Sequence, residues 1–312
     1  MKKLFKVLGI AIGSLLGLVV LLLALLNLFK FVIYSEYYAI EEEVCTNPGL
    51  HDGFVCQGIC VSEENGKILV SGYMTDDRNS RIYVTDYDSN SYYVELTRDG
   101  EKYTGHAGGI AVVGDTVYIS NASKLFIASL SDILGAKNGD KVDIGSGVPV
   151  NSAASFVFAD ESYVYVGEYN DPNEKQKPHV YETPSGVNHS IIERYSHDDL
   201  ENPDKIYSIG DYVQGVCFTP DGRIIFSTSH GLTSTEYYVY RESEATDSGN
   251  SLDGAPVYYL GECTEQISGP AMGEDLDWFD GRVLTLSESA SNKYVFGKLF
   301  FAFDIVLLDF AK

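Results

Sequence analysis

The chain has 312 residues, 45% of them hydrophobic and 12% aromatic, with 30 glycines and a formal net charge of −23. So acidic a chain repels nucleic acid and anionic lipid at short range and attracts cations, which argues against any DNA- or RNA-binding function. Tyr, Val, Ile and Gly usage favours strands and turns, and no sustained helical period appears beyond residue 35.

The first predicted element is a membrane span. Residues 7–29, VLGIAIGSLLGLVVLLLALLNLF, carry no charge. At about 1.5 Å per residue they cross a hydrocarbon core of about 30 Å. The apolar run is longer than that of a secretory signal, and NLFKFVIYSEYY at its end offers no Ala-x-Ala-like cleavage site. An uncleaved signal-anchor is therefore preferred over a cleaved signal. Lys2, Lys3 and Lys6 precede the span, and only Lys30 follows it before the three glutamates at 41–43. This bias predicts a cytoplasmic tail and anchor over residues 1–33, contact with the bilayer through residues 7–29, and residues 34–312 outside the cell at the plasma membrane. The part beyond Ile33 holds 18 basic against 45 acidic residues, a net charge of −27.

Cys45, Cys56, Cys60, Cys217 and Cys263 fit neither a zinc pattern nor a small disulfide scaffold. Outside the cytoplasm one bridge is open to them, with Cys45–Cys56 the nearest pair. Cys60 and Cys217 hold matching apolar positions in QGICV and QGVCF.

One pattern then recurs five times. GICVSEENGKILVS (58–71), GIAVVGDTVYIS (109–120), ASFVFADESYVYVG (154–167), GVCFTPDGRIIFS (215–227) and EDLDWFDGRVLTLS (274–287) each join two apolar runs through a tight turn. ENGK, VGDT, PDGR and FDGR carry hairpin turn chemistry, and ADES is the weak copy. Two further strand-like runs follow each of the first four: RIYVTDY and SYYVELT, KLFIASL and KVDIGSG, SIIERYS and KIYSIGDY, YYVYRES and PVYYLGE. The fifth unit ends after its third strand, FAFDIVLLDF. SEYYAIEEEVC (35–45) can supply its fourth and close the ring without an open edge. Four strands per unit, at a period of roughly 47 to 60 residues, predict an all-β fold: a five-bladed β-propeller preceded by one transmembrane helix. Six blades are the alternative, because two long intervals leave room for a degenerate unit.

The resemblance to the β-propeller superfamily covers residues 34–312, and the DGR-type turns are broadly similar to those of bacterial lactonase and gluconolactonase propellers. Neither Trp-Asp dipeptides in register nor a kelch di-glycine pattern is present. In a propeller the first strand of each blade lines the channel. The loop leading into it meets the loop after the second strand on one face, where ligand and catalytic groups gather.

The slot opening each repeat holds Gly58, Gly109, Ala154, Gly215 and Glu274, and the slot after the closing Ser or Gly holds Gly72, Asn121, Glu168, Thr228 and Glu288. With the approach loops added, the predicted ligand-binding set is His51, Asp52, His106, Asn121, Glu168, Gln214, Glu274 and Glu288. Its oxygen donors suit Ca²⁺, which takes about 6–8 oxygen ligands. The resemblance to lactonase-type propellers implies Asn121, Glu168, Glu274 and Glu288 as the metal set.

The leading expectation is a membrane-anchored propeller that binds a small-molecule or protein ligand at this acidic channel face. The alternatives are a Ca²⁺-dependent lactone or ester hydrolase, a carboxylate-pair glycosidase and a cell-surface interaction scaffold. No catalytic residue is assigned, and no serine-hydrolase elbow, zinc-protease motif or phosphate loop appears. Residues 169–192 form the longest irregular insert, expected as a lid or a surface loop. Leu276 and Trp278 are expected in the core.

Overall fold

A computed structural model describes residues 2–174 and 179–311. The apolar N-terminal sequence forms one helix, Lys2–Ile33, whose side chains stay largely exposed in the isolated chain. The rest folds into five blades about one axis. In blade 1 the strands run Phe54–Ser62, Lys67–Met74, Arg81–Thr85 and Ser91–Arg98, from the axis outward. Blade 2 is built from Gly109–Val113, Thr116–Asn121, Lys124–Ser129 and Val148–Pro149. Blade 3 has Phe156–Ala159, Tyr163–Gly167, Ser190–Ser196 and Lys205–Ile209. Blade 4 has Val213–Phe218, Arg223–Thr228, Thr235–Arg241 and Glu265–Gly269. Blade 5 has Gly273–Phe279, Arg282–Ser287 and Asp304–Leu308, and its outer strand is Glu41–Thr46 from the start of the domain.

The recurring Gly and Ser have separate physical reasons. A Cβ on Gly58 would stand 2.6 Å from the backbone nitrogen of Ile110, and one on Gly109 would stand 2.7 Å from Cα of Phe156. Each glycine thus lets its inner strand approach the next blade at backbone contact, which any larger residue would prevent. The closing serine staples the same seam: Ser71 Oγ donates to Ala107 O at 2.8 Å, and Ser227 Oγ donates to Glu274 O. Between the blades lie buried side chains such as Phe156, Ile59, Ile110, Leu276 and Val216.

Four details differ from the sequence reading. Residues 35–40 form a short helix, Ser35–Ile40, because Tyr37 and Ile40 bury against Tyr237 and the last blade; only 41–46 is strand. The KVD of KVDIGSG pairs in parallel with the outer strand of blade 1, and Val148–Pro149 takes the fourth place in blade 2. Likewise Ala255–Tyr259 crosses to the outer edge of blade 3, and Glu265–Gly269 completes blade 4. These added strands cover edges that would otherwise be open. In blade 3 the residue opposite the closing Gly167 is Phe156, two places beyond the expected Ala154.

All five cysteines are unbridged, so the Cys45–Cys56 pair does not form; Cys56 Sγ instead accepts from Asn47 Nδ2 at 3.0 Å.

Candidate functional site

The channel has a loop end, where the approach loops meet the loops after each second strand, and a turn end, where the five hairpin turns meet. Near the loop end three inner strands are bulged, at Gln57, at Gln214 and at the Glu274–Asp275 step. A bulge inserts an extra residue and re-aims its side chain. In blade 5 this admits two consecutive acids where strict alternation would allow one.

The loop end gathers Glu274 and Glu288, which hydrogen-bond to each other through their carboxyls. Gln57 Nε2 donates to Glu288 Oε2 at 2.9 Å. Tyr294 also bonds Glu288, and the Tyr73 hydroxyl lies 3.5 Å from that of Tyr294. Lys293 donates to the Tyr73 hydroxyl. Burial raises both carboxyls: Glu288 is pushed up to about 7, and Glu274 is held well above the usual carboxylate range by burial and by the Glu288 charge. Two carboxyls in one dry space repel as a pair of anions, which favours a proton held between them. The pair can accept or release that proton or hold a cation in its place.

The other predicted residues are dispersed. His106 packs against Tyr73 with the rings tilted and 4.4 Å between centroids, and its backbone N–H donates to Asn121 Oδ1, which joins Asn121 to the blade 2 approach loop. Gln214 donates to Ser229 within its own blade. Asp52 is exposed and tied to Arg78 and to the buried Arg81, whose hydrogen bond lowers its pKa. His51 bonds Asn292. Glu168 is buried, and its oxygens accept from the backbone N–H groups of Ala153 and Ile191 and from His179 Nδ1 at 2.6 Å. That pattern ties the blade 3 insert to its approach loop. The expected lid thus includes an anchored histidine and a small hairpin, Tyr181–Thr183 with Gly186–Asn188, while residues 175–178 lie outside the described residues. Among the described residues no three His, Cys, Asp or Glu side chains cluster closely enough to hold a metal ion.

Below the pair, Asp275 is fully buried, and its Oδ2 accepts from the N–H groups of Ile59 and Ile110 at 3.4 Å each. One blade 5 carboxyl therefore joins the inner strands of blades 1 and 2 at mid-channel. Its other oxygen has no partner among the described residues, and burial raises its pKa well above the usual range.

Two residues further along the same strand the channel opens at its turn end into a cavity of about 700 Å³. All five blades contribute to its wall. Phe158, Tyr163, Tyr165, Phe218 and Trp278 supply aromatic surface, and Tyr165 stacks on Phe218 at 3.8 Å. Asp277 lies where the inner strand meets the cavity; Val61 N–H donates to one oxygen at 2.8 Å and Trp278 N–H to the other at 2.9 Å. Burial pushes Asp277 up to about 7. Glu63, Glu64, Asp160, Glu161 and Glu242 also line the opening. Arg194, the one basic residue of the wall among the described residues, already pairs with Asp204 at 2.8 Å and stacks on Tyr163. Trp278, expected in the core, is only partly buried and faces this space. Sequence reasoning points to the loop end and misses this group. Its only signal is the Asp-Trp pair, which local pattern assigns to packing.

No protein-family model matches the chain, and no curated protein does. Among solved structures, the PQQ-bound aldose sugar dehydrogenase of Streptomyces coelicolor is 16% identical, covering 80% of this chain and 77% of that one, with a TM-score of 0.47. Glutaminyl cyclase of Myxococcus xanthus is 10% identical over 86% and 96% of the two chains, also with a TM-score of 0.47. An oxidoreductase from Thermus thermophilus, described as a glucose dehydrogenase, is 11% identical over 86% and 99%, again at 0.47. Five sheets of four core strands about one axis, the last completed by the first strand of the domain, give this chain the fold of a five-bladed β-propeller.

Proposed function

We propose that the protein is a membrane-tethered binding propeller that takes an organic cation, an alkylammonium or guanidinium group, into the cavity at the turn end of its channel. The observation that carries this reading is the pairing of aromatic walls with carboxylates in one concave space. A hard metal ion needs several oxygens converging at short range. An organic cation is held instead by aromatic faces and by more distant negative charge. Asp277, Glu242 and the rim acids outnumber a single, already neutralised arginine.

Tethering is supported by the apolar helix, whose span-like segment Phe5–Ile33 runs 29 residues. The lysines at its start favour a cytoplasmic N-terminus and an exported propeller. The helix joins the domain at the loop end, where Tyr34 bonds Ser234, so the turn-end cavity opens away from the membrane. On this reading the ligand enters at the opposite mouth from the Glu274–Glu288 pair.

Calorimetric titration of the full chain in non-ionic detergent with arginine methyl ester tests the proposal. One saturable site is expected, weaker in high salt. Because a bound cation favours ionised Asp277, affinity should rise between pH 6 and pH 8. Asp277→Asn combined with Glu242→Gln should weaken it about tenfold, the equivalent of roughly 1.4 kcal/mol. Unaltered affinity in that double variant would place the cation elsewhere.

A further inference from the structure

The loop that follows the second strand of blade 5, residues 288–303, is fastened to the helix rather than to solvent. Asn27 Nδ2 donates to Leu299 O at 3.1 Å, and the Phe301 N–H donates back to Asn27 Oδ1 at 2.8 Å. One turn along the helix, Lys30 Nζ donates to Phe301 O at 2.8 Å. Tyr34 continues the contact with its ring edge-on to Phe300 at 5.8 Å. Three hydrogen bonds from a helix to one stretch of loop backbone fix the depth of that loop relative to the helix.

Where the helix sits fixes where the loop sits. The 29-residue segment Phe5–Ile33 is about 43 Å long at about 1.5 Å per residue, longer than a hydrocarbon core of about 30 Å. Lys6 marks one boundary, and about twenty residues from there reach Leu26. Asn27 and Lys30, the first hydrogen-bonding and charged side chains after that point, lie at the opposite boundary, where Lys snorkels and Tyr accumulates. Tyr34, Tyr37 and Tyr38 follow at once.

At that level the domain exposes large apolar side chains. Val295 is 74% exposed and Phe296 69%, and Leu232 on the neighbouring blade 4 loop is 52% exposed. Elsewhere the propeller buries its large apolar residues with few exceptions. Lys293 and Lys298 flank the pair, as suits side chains reaching past an inserted apolar tip to the headgroups.

We infer that the propeller does not swing freely on its tether: the blade 5 loop inserts Val295 and Phe296 into the membrane boundary beside its own helix. The occupant of this apolar surface is the acyl–headgroup region of a zwitterionic phospholipid, since the acidic domain opposes close approach to anionic lipid. Insertion would hold the loop end against the bilayer and the turn-end cavity outward. The inference rests on the tethering proposed above.

The test uses the full chain in phosphatidylcholine vesicles whose acyl chains are brominated either near the headgroup, to report on position 296, or near the chain end, to report on position 15. Trp278 is the sole tryptophan, so Trp278→Phe gives a silent background into which Phe296→Trp or Leu15→Trp is placed. The introduced indole at 296 is expected to lose most of its emission to the bromolipid, while Trp278 in the wild type keeps its own. Unquenched emission at 296 with quenched emission at 15 would overturn loop insertion and leave the membrane span standing. Unquenched emission at both positions would overturn insertion and tethering together. Equal quenching of wild-type Trp278 would also contradict the inference, because it would put the turn end on the bilayer.

Discussion

Replacing Glu41–Thr46 with a Gly/Ser/Pro stretch of equal length is expected to lower the melting temperature by about 10 °C, or to leave the protein insoluble. Glu41–Thr46 is the only cover on the outer side of Asp304–Leu308 among the described residues, pairing from Glu41 opposite Leu308 to Thr46 opposite Asp304. Without it, a strand with Ile305, Val306, Leu307 and Leu308 all buried becomes an open edge. Such an edge loses its ladder and invites pairing with another chain. Cys45 adds a packing loss, since it is buried among Ile305 and Leu307. Losing several such contacts costs on the order of 3–5 kcal/mol. Equal length keeps the distance to the helix, so the effect cannot come from a shortened tether. The same replacement across the small exposed hairpin at 181–188, which adds no strand to any blade, should shift melting little. Thermal melts by circular dichroism with solubility after lysis decide it. Wild-type melting in the strand-replaced protein would mean that the ring is held closed by something else.

Melting should also be higher at pH 5.5 than at pH 8, the reverse of a protein held by ionised carboxylates. The folded-state values of Glu288 and Asp277 are both raised, to about 7, and those of Glu274 and Asp275 are raised as well, mainly by burial. An acid whose pKa is higher folded than unfolded binds more protons in the folded state. Stability is then greatest below its unfolded value, near 4, and falls as pH rises toward the folded value. Each such group changes stability by about 1.4 kcal/mol per pH unit while the two states differ by a full proton. The lowered acids, among them Asp52, Asp115 and Asp143, lie near the surface and work in the opposite sense at pH below their usual values. His106, lowered by burial, opposes this slope near pH 6, but it is one group against four raised carboxyls, so between pH 5.5 and pH 8 the buried acids decide the slope. Glu288→Gln keeps the shape and removes one titration, so the variant should melt a few degrees above wild type at pH 8 and show a shallower slope. A wild-type melting temperature that is flat or rising over this range would sink the shared-proton pair. The same melts in millimolar Ca²⁺ test the calcium expectation, because a cation seated between the carboxyls would displace the proton and flatten the slope.

The ring was legible because its signals are local. Gly58, Gly109 and Gly215 open hairpins of nearly one length, and each glycine has a steric reason that recurs blade after blade. Outer strands were less legible, since KVD and APVYY have ordinary strand composition and only the path of the chain decides which blade they join. Glu274 and Glu288 could be paired from register alone, because the first and second strands of one blade are neighbours in sequence. Glu168 occupied an equivalent slot yet is consumed by Ala153, Ile191 and His179, partners that the sequence gives no means of ranking. The turn-end cavity was the least legible feature. Tyr165 and Phe218 come from different blades and meet only when blades 3 and 4 pack together, and Asp277 reads as one more acid in an acidic run.

Binding in that cavity is tested most directly by the emission of Trp278, excited where tyrosine does not absorb, during titration of the full chain with arginine methyl ester. Trp278 lines the cavity and is the only tryptophan, so no other indole can report. The prediction is a saturable change in its intensity and wavelength with the same midpoint as the calorimetric titration, and a midpoint about tenfold higher in Asp277→Asn with Glu242→Gln. Calorimetric saturation with Trp278 emission unchanged would contradict the cavity as the binding site.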